Sequence, residues 1–159
     1  MLCRVISALL VSFLLVSCAM TRQVATPHDD ITLSASNDVN PDPLGRAAPV
    51  IVKIYELSAR TTFDYIDFDA AYSNAAVVLS DQLLSSREQV VLPRQSTSLR
   101  IELHENTEFI GIVAAYRDID RAKWKLVYPV NSNWFQSHHV LLSESAAVLK
   151  QDNQQTMAD

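Results

Sequence analysis

Apolar and polar residues alternate one by one along several short segments, and this pattern constrains the fold more than any other feature of the chain. It is clearest at residues 99–104, Leu-Arg-Ile-Glu-Leu-His, and it recurs at residues 31–35 and 50–57. A period of two is typical of a β-strand that buries one face. Residues 109–116 are apolar on both faces, which predicts a central strand covered on both sides.

The remaining segments complete an all-β pattern with one helical interruption. Further strands are predicted at residues 89–92, 124–130 and 140–149, with turn-forming residues between them. Residues 64–72 have an apolar spacing that suits a short helix better than a strand, and residues 77–84 could extend that helix or form an edge strand. Seven or eight short strands predict a two-sheet β-sandwich with a short helical insertion.

The N-terminal segment resembles the leader of an exported bacterial lipoprotein. Arg4 precedes an almost wholly apolar run at residues 5–16, which is shorter than a membrane-spanning helix of about 20 residues and is typical of a signal peptide. The run ends Leu15-Val16-Ser17-Cys18, an order similar to the bacterial lipobox. This resemblance implies cleavage before Cys18 and acylation of its thiol. The alternative is a buried helix that happens to contain Ser-Cys.

These features divide the chain into four parts. Residues 1–17 are predicted to be a lipoprotein signal peptide, 18–29 the lipidated cysteine and a tether, 30–150 one β-sandwich domain, and 151–159 a flexible tail. Because the only other cysteine leaves with the signal peptide, no thiol remains for a disulfide. In the bacterial sorting rule, Ala19 in place of Asp after the lipidated cysteine implies transfer to the outer membrane.

Composition and motif content argue against nucleic-acid binding and catalysis. The formal net charge is −5, and removal of the signal peptide with Arg4 would make it −6, so attraction to nucleic acid is not expected. The only glycines, Gly45 and Gly111, cannot build a phosphate loop. His138 and His139 would point to opposite faces of a strand, and the histidines are expected to be solvated. We predict no enzyme, no catalytic residue, no metal site and no cofactor other than the covalent lipid.

Two sequence blocks behind the lipobox resemble one bacterial family. The first block contains Asn40-Pro41-Asp42 and Gly45-Arg46 and continues into Ala48-Pro49-Val50-Ile51-Val52-Lys53-Ile54-Tyr55-Glu56-Leu57. The second block contains Gly111, Ala114-Ala115-Tyr116-Arg117-Asp118 and Ala122-Lys123-Trp124. In this order the blocks resemble TssJ (also called VasD or SciN), the outer-membrane lipoprotein family of type VI secretion systems. The likeness covers about residues 30–150.

The resemblance implies a fold, a location and a partner. The fold would be a transthyretin-like sandwich of two β-sheets with a helical addition. The lipid would hold the protein in the outer membrane, with its domain facing the periplasm. There it would anchor the trans-envelope complex by binding the periplasmic C-terminal domain of TssM, and through TssM it would be joined indirectly to TssL.

Two loops are predicted to form the partner surface. Residues 37–49 are long for a hairpin connection, and fixed turns would present their side chains at a low cost in ordering entropy. The candidates in this loop are Asn40, Pro41, Asp42, Gly45 and Arg46. In residues 131–136 the adjacent Trp134 and Phe135 cannot both point inward from a strand, so at least one is expected to be exposed. The alternative is that both loops are ordinary solvated turns and that Trp134 covers the end of the core.

A second functional hypothesis comes from a different class of protein. A small exported β-sandwich could also bind or transport a hydrophobic or sugar ligand. Such a protein should have a pocket in which polar and aromatic groups converge. The aromatic residues Tyr116, Trp124 and Tyr128 instead occur at strand periods that suit core filling. Genomic neighbours, or a pull-down with periplasmic TssM, would separate the two hypotheses.

Substitution of Cys18 tests the lipoprotein prediction. A serine hydroxyl cannot replace the thiolate as acyl acceptor, so Cys18→Ser should abolish incorporation of radiolabelled palmitate. Cys3→Ser is the matched control, since Cys3 lies in the predicted signal peptide, and it should leave labelling unchanged. Palmitate incorporation that survives Cys18→Ser would contradict the prediction.

Overall fold

The computed structural model describes residues 26–150. Within them the chain forms eight short strands, which include the alternating segments, and several small helices. In chain order the elements are β1 (His28–Ala35), β2 (Val50–Leu57), α1 (Thr61–Tyr65), α2 (Phe68–Ser73), α3 (Ala75–Leu79), a 3-10 turn (Ser80–Gln82), β3 (Leu83–Val91), β4 (Ser96–Glu102), β5 (Phe109–Ala115), β6 (Lys125–Pro129), β7 (Gln136–Leu142) and β8 (Ala147–Lys150). The predicted signal peptide, Cys18, Ala19 and the predicted flexible tail lie outside the described residues.

The strands form two four-stranded sheets. One sheet has the order β4-β1-β7-β8 and the other β3-β2-β5-β6. Neighbouring strands are antiparallel except β1 and β7, which run parallel, with Asp29 opposite Gln136 and Ala35 opposite Leu142. The predicted two-sheet sandwich is therefore confirmed.

The strand directions give the sandwich two distinct ends. We call the end at which β1 and β7 begin the tether end, and it is formed by residues 26–28, 103–108 and 130–135. We call the opposite end the loop end, and it is formed by residues 36–49, 92–95, 116–124 and 143–146. Eight strand residues separate the two ends along β1, a length of about 25 Å.

The core lies between the sheets and is filled by the inward face of each alternating strand. Fully buried side chains come from both sheets, among them Ile31, Leu33, Val52, Ile101 and Ile112. Burial of one such side chain contributes about 1.5–3 kcal/mol. Since the described residues contain no cysteine, this core stabilises them without a disulfide.

The sequence predicted a single helical segment, whereas the structure has three short helices in this region. The predicted helix at residues 64–72 is divided into α1 and α2 because Ile66 and Asp67 leave the helical conformation. Asp67 then caps α2, its carboxylate accepting a hydrogen bond from the backbone N–H of Ala70 at 2.8 Å. The open choice for residues 77–84 has a mixed answer: α3 and the 3-10 turn extend to Gln82, and β3 begins at Leu83.

These helices cover the outer face of the second sheet with a second apolar cluster. Phe63 packs so closely on Gly111 that an added Cβ there would lie 2.7 Å from the ring. The hydroxyl of Tyr55 donates to the carbonyl oxygen of Ala71 at 2.7 Å, and burial raises the pKa of Tyr55 to about 12. Lys125 donates to three carbonyl oxygens of the α1 region, at 2.9–3.0 Å. Helices and sheet are thus joined by polar as well as apolar contacts.

Strand β3 is longer than the sequence predicted. The alternation indicated residues 89–92 alone, whereas the strand covers Leu83–Val91. It is an edge strand of its sheet, and most of its side chains are at least partly exposed. An edge strand without a fully buried face has no reason to alternate, so periodicity could not reveal its first half.

The start of β1 corrects two predictions. The strand begins at His28, so the last two residues of the predicted tether belong to the sheet. Asp29 is fully buried, where it accepts a hydrogen bond from the Tyr128 hydroxyl at 3.1 Å and lies 2.8 Å from Nδ1 of His138. His138 is therefore not a solvated histidine. His139 faces the other way and lies 2.8 Å from the hydroxyl of Ser34, as the alternation predicted.

The register of β4 can be tested at two adjacent residues. Ile101 is 1% exposed and Glu102 is exposed. Ile101→Ala should lower the free energy of unfolding by about 2–5 kcal/mol because it leaves a cavity. Glu102→Ala is the matched control and should cost less than about 0.5 kcal/mol. Urea unfolding measures both, and equal losses would contradict this register.

Candidate functional site

The loop that follows β1 is held in place by one asparagine. Asn40 is 4% exposed and has a positive φ of 49°, a conformation that asparagine tolerates better than most residues. Its side-chain amide donates to the carbonyl oxygen of Pro49 at 2.7 Å and accepts from the backbone N–H of Arg117 at 2.8 Å. Its own backbone N–H donates to the carbonyl oxygen of Glu144 at 3.0 Å. Asn40 thus ties together three of the four connections at the loop end.

Asp42 fixes the tip of the same loop. Its carboxylate accepts from the backbone N–H groups of Leu44 and Arg46 at 2.9 and 3.0 Å, and from Nε of Arg46 at 2.7 Å. These hydrogen bonds lower the pKa of Asp42 below its ordinary value, and the bond from the Arg46 backbone N–H has the largest effect. Gly45 supplies the positive φ of 77° that the turn requires. The guanidinium of Arg46 is therefore presented on a turn that is already ordered.

The second family-like block lies against this loop. The segment after β5 begins with Tyr116, and the backbone of Lys123 exchanges hydrogen bonds with Ser145 and Ala147 at 2.8 and 2.9 Å. Together the two blocks and the β7–β8 turn enclose an open cleft of about 590 Å³. Its lining includes Asn40, Pro41, Asp42, Arg117, Asp118 and Glu144. The sequence blocks that carried the resemblance therefore meet at one surface, which we call the cleft.

The cleft presents charges of both signs. Arg121, which lines the cleft, is 86% exposed in its side chain and lies 3.8 Å from Asp118. Arg46, on the loop beside the cleft, is 73% exposed in its side chain. Within residues 26–150, no group of three His, Cys, Asp or Glu side chains has an arrangement that could hold a metal. The arrangement provides hydrogen-bond donors, acceptors and an ordered backbone, which suits the docking of a polar chain segment.

The second predicted partner loop lies at the opposite end of the molecule. Trp134 and Phe135 are 67% and 57% exposed, so the alternative that Trp134 covers the core is wrong. The loop precedes β7 at the tether end, where Ser132 donates to the carbonyl oxygen of Glu105 at 2.8 Å. Because the two ends are about 25 Å apart, the predicted residues do not form one continuous surface.

Several residues of the cleft were missing from the sequence-based set. Arg117, Asp118, Arg121 and Glu144 line it. Of the predicted residues of the first loop, Asn40, Pro41 and Asp42 line it too, whereas Gly45 and Arg46 lie on the same loop outside the lining. Arg117, Asp118 and Arg121 lie between the strands predicted at residues 109–116 and 124–130. Alternation gave no reason to place this connection at a functional surface. Glu144 lies in a short turn with no motif, and its position depends on the β7–β8 hairpin.

The fold and the two surfaces indicate a class of protein: a small two-sheet β-sandwich with a short helical insertion and surfaces suited to docking. The chain belongs to the type VI secretion lipoprotein family, described by the names VasD, EvfM and TssJ, whose model matches residues 27–145. The resemblance stated from the two blocks is thereby confirmed. No curated protein sequence matches the chain.

Solved structures give the same assignment. The T6SS lipoprotein TssJ1 from Pseudomonas aeruginosa is 32% identical, with a TM-score of 0.75 over 80% of this chain and 98% of that one. Serratia marcescens Lip, a membrane-bound component of the type VI secretion system, is 19% identical, with a TM-score of 0.73 over 78% and 97%. A chain of a type VI membrane complex is 18% identical, with a TM-score of 0.70 over 79% and 99%. The last two similarities show the fold alone.

The family is one of membrane-associated lipoproteins. In the part of the chain that the structure describes, no helix has the length and apolar character needed to cross a membrane.

Two buried tyrosines give a matched test of the polar core. The Tyr116 hydroxyl beside the cleft is buried and has no hydrogen-bond partner among the described residues, whereas the Tyr128 hydroxyl donates to Asp29. Tyr116→Phe removes an unsatisfied group and should leave the free energy of unfolding unchanged or raise it slightly. Tyr128→Phe removes one of the two side-chain partners of the buried Asp29 carboxylate, of which His138 is the other, and should cost about 1–3 kcal/mol. If urea unfolding shows equal losses for the two variants, this difference in hydrogen bonding is wrong.

Proposed function

We propose that this chain is an outer-membrane lipoprotein that anchors a type VI secretion complex by binding the periplasmic C-terminal domain of TssM at the cleft. Through TssM it would be joined indirectly to TssL. The observation that carries the proposal is the convergence of both family-like blocks on the cleft. Family membership and the 32% identity to the T6SS lipoprotein TssJ1 support the same setting.

The cleft is organised before any partner binds. Asn40 and Asp42 together make eight hydrogen bonds that fix the first loop and tie it to its neighbours. A loop that is ordered in the free protein loses little conformational entropy on binding, so more of the contact energy appears as affinity. A loop that is already ordered is therefore better suited to bind a macromolecular partner than a loop that becomes ordered only on contact.

The charges of the cleft indicate what the partner must offer. Arg117 and Arg121 in the cleft, and Arg46 on the loop beside it, can pair with carboxylates. Asp118 and Glu144 can pair with cationic groups. A segment of TssM that enters the cleft should therefore carry both signs of charge. Such complementarity selects the partner and its orientation more than it adds affinity.

The membrane end of the proposal depends on residues outside the structure. Acylation of Cys18 would supply the anchor, and Ala19 would permit sorting to the outer membrane. Two or more acyl chains hold a protein stably at a membrane, at about 0.8 kcal/mol per buried methylene. The tether then enters β1 directly, and β1 continues into the first cleft loop. A pull between partner and membrane would thus be transmitted along one central strand.

The ligand-binding hypothesis is less well supported by the cleft. Its volume of about 590 Å³ falls within the range of small-molecule pockets. Pockets for small ligands, however, usually enclose most of the ligand, whereas this cleft has an open mouth bordered by the charged side chains of Arg117, Asp118 and Arg121. Tyr116 lines the cleft but is only 6% exposed, and Tyr128 is buried in the core, so the two aromatic side chains do not converge on a ligand cavity.

Calorimetric titration of the TssM periplasmic domain into the mature protein tests the docking site. Arg117→Ala and Arg121→Ala should each weaken binding about tenfold or more if these side chains, which line the cleft, make central contacts. Arg87→Ala is the matched control, because Arg87 is exposed on the edge strand β3, away from the loop end. Melting temperatures should be unchanged for Arg117→Ala. A Kd unaltered by both cleft variants would contradict the proposed site.

A further inference from the structure

We propose that Trp134 and Phe135 insert into the lipid interface of the membrane that holds the tether. The proposal rests on the acylation of Cys18 included in the proposed function. In this proposal the second predicted partner loop, residues 131–135, binds lipid and not the protein partner.

The loop displays its aromatic side chains on a fixed turn. The side chain of Gln136 closes it by accepting from the backbone N–H of Asn131 at 3.1 Å and donating to its carbonyl oxygen at 2.9 Å. The backbone N–H of Trp134 donates to the same carbonyl oxygen at 3.1 Å. Two adjacent large aromatic side chains are therefore held in water by an ordered backbone. Exposed apolar patches of this kind commonly mark interaction sites.

The position of the loop points to lipid as the occupant. The ring of Phe135 lies 4.9 Å from that of His28, the residue at which β1 begins and the tether enters the domain. Nine residues lie between Cys18 and His28, so the acylated cysteine can be at most about 35 Å from His28, which contacts Phe135. The cleft is at the other end of β1, so a domain with this loop against the bilayer would present the cleft to the periplasm.

The residue types suit the interface between lipid and water. Tryptophan is enriched at membrane interfaces because its ring is apolar while its indole N–H can bond to polar groups of the lipid. Glu105 lies beside the loop, and the chain is acidic overall, so a strongly anionic surface is disfavoured. A neutral, zwitterionic bilayer is the expected surface. The tether raises the local concentration of lipid around the loop, so even weak insertion would be populated.

Quenching by brominated lipid tests the insertion directly. The chain has two tryptophans, so Trp124→Phe leaves Trp134 as the sole reporter. The mature acylated protein is placed in phosphatidylcholine vesicles with bromine on the acyl chains near the headgroup. The expected result is a loss of Trp134 emission relative to vesicles of unbrominated lipid, with a blue shift relative to the protein in buffer.

A second reporter provides the matched control. Leu44 is 78% exposed at the loop end. A chain with Leu44→Trp, Trp124→Phe and Trp134→Phe should show no loss of emission in the same vesicles. Trp124 packs against Phe68, so its substitution could disturb the packing. The natural chain is therefore compared with Trp134→Phe, and brominated lipid should reduce the emission of the natural chain more than that of the variant.

Flotation of the vesicles separates this proposal from the proposed function. A chain that does not float with the vesicles contradicts the lipid anchor and insertion together. A chain that floats but shows no loss of Trp134 emission overturns the insertion alone. An emission change that instead requires the TssM domain, or that follows dimer formation in sedimentation, would identify a protein partner or a second copy as the occupant and would also overturn it.

Discussion

The pairing of β1 with β4 on one side and with β7 on the other determines how the molecule is arranged. The parallel β1–β7 pair brings the first residues of the domain to the same end as the aromatic loop before β7. It also sends the long loop after β1 to the opposite end, beside the β7–β8 turn. A tension applied between tether and cleft would load both ladders of β1 along the strand. The polarity of the molecule, with a tether end and a loop end, follows from this central strand.

Polar contacts rather than disulfides complete the stability of this arrangement. Asp29 is buried at the start of β1 with Tyr128 and His138, and Asn40 is buried after its end. Buried polar groups are costly unless they are hydrogen-bonded, and these are bonded to other segments of the chain. They therefore select one register of β1 and one conformation of the loop, in addition to the nonspecific energy of the apolar core.

The sequence predicted the parts of the fold in which one face is buried. Alternation located β1, β2 and β4, and the apolar run located β5, because burial of one or both faces determines these patterns. It did not predict the first half of β3, whose side chains are largely exposed, or the break in the helix at Asp67. Exposure of Trp134 followed from its adjacency to Phe135. The joining of Asn40 to Arg117 could not be predicted, since it depends on a contact 77 positions apart in the chain.

The central claim is that one end of the sandwich faces the lipid and the other receives the partner. Hydrogen exchange of the acylated protein in vesicles, with and without the TssM periplasmic domain, measures both ends in one experiment. The account predicts that TssM slows exchange at residues 37–49 and 116–124, and that vesicles slow it at residues 131–135 without TssM. Protection of residues 131–135 by TssM, with the cleft segments unchanged, would contradict it.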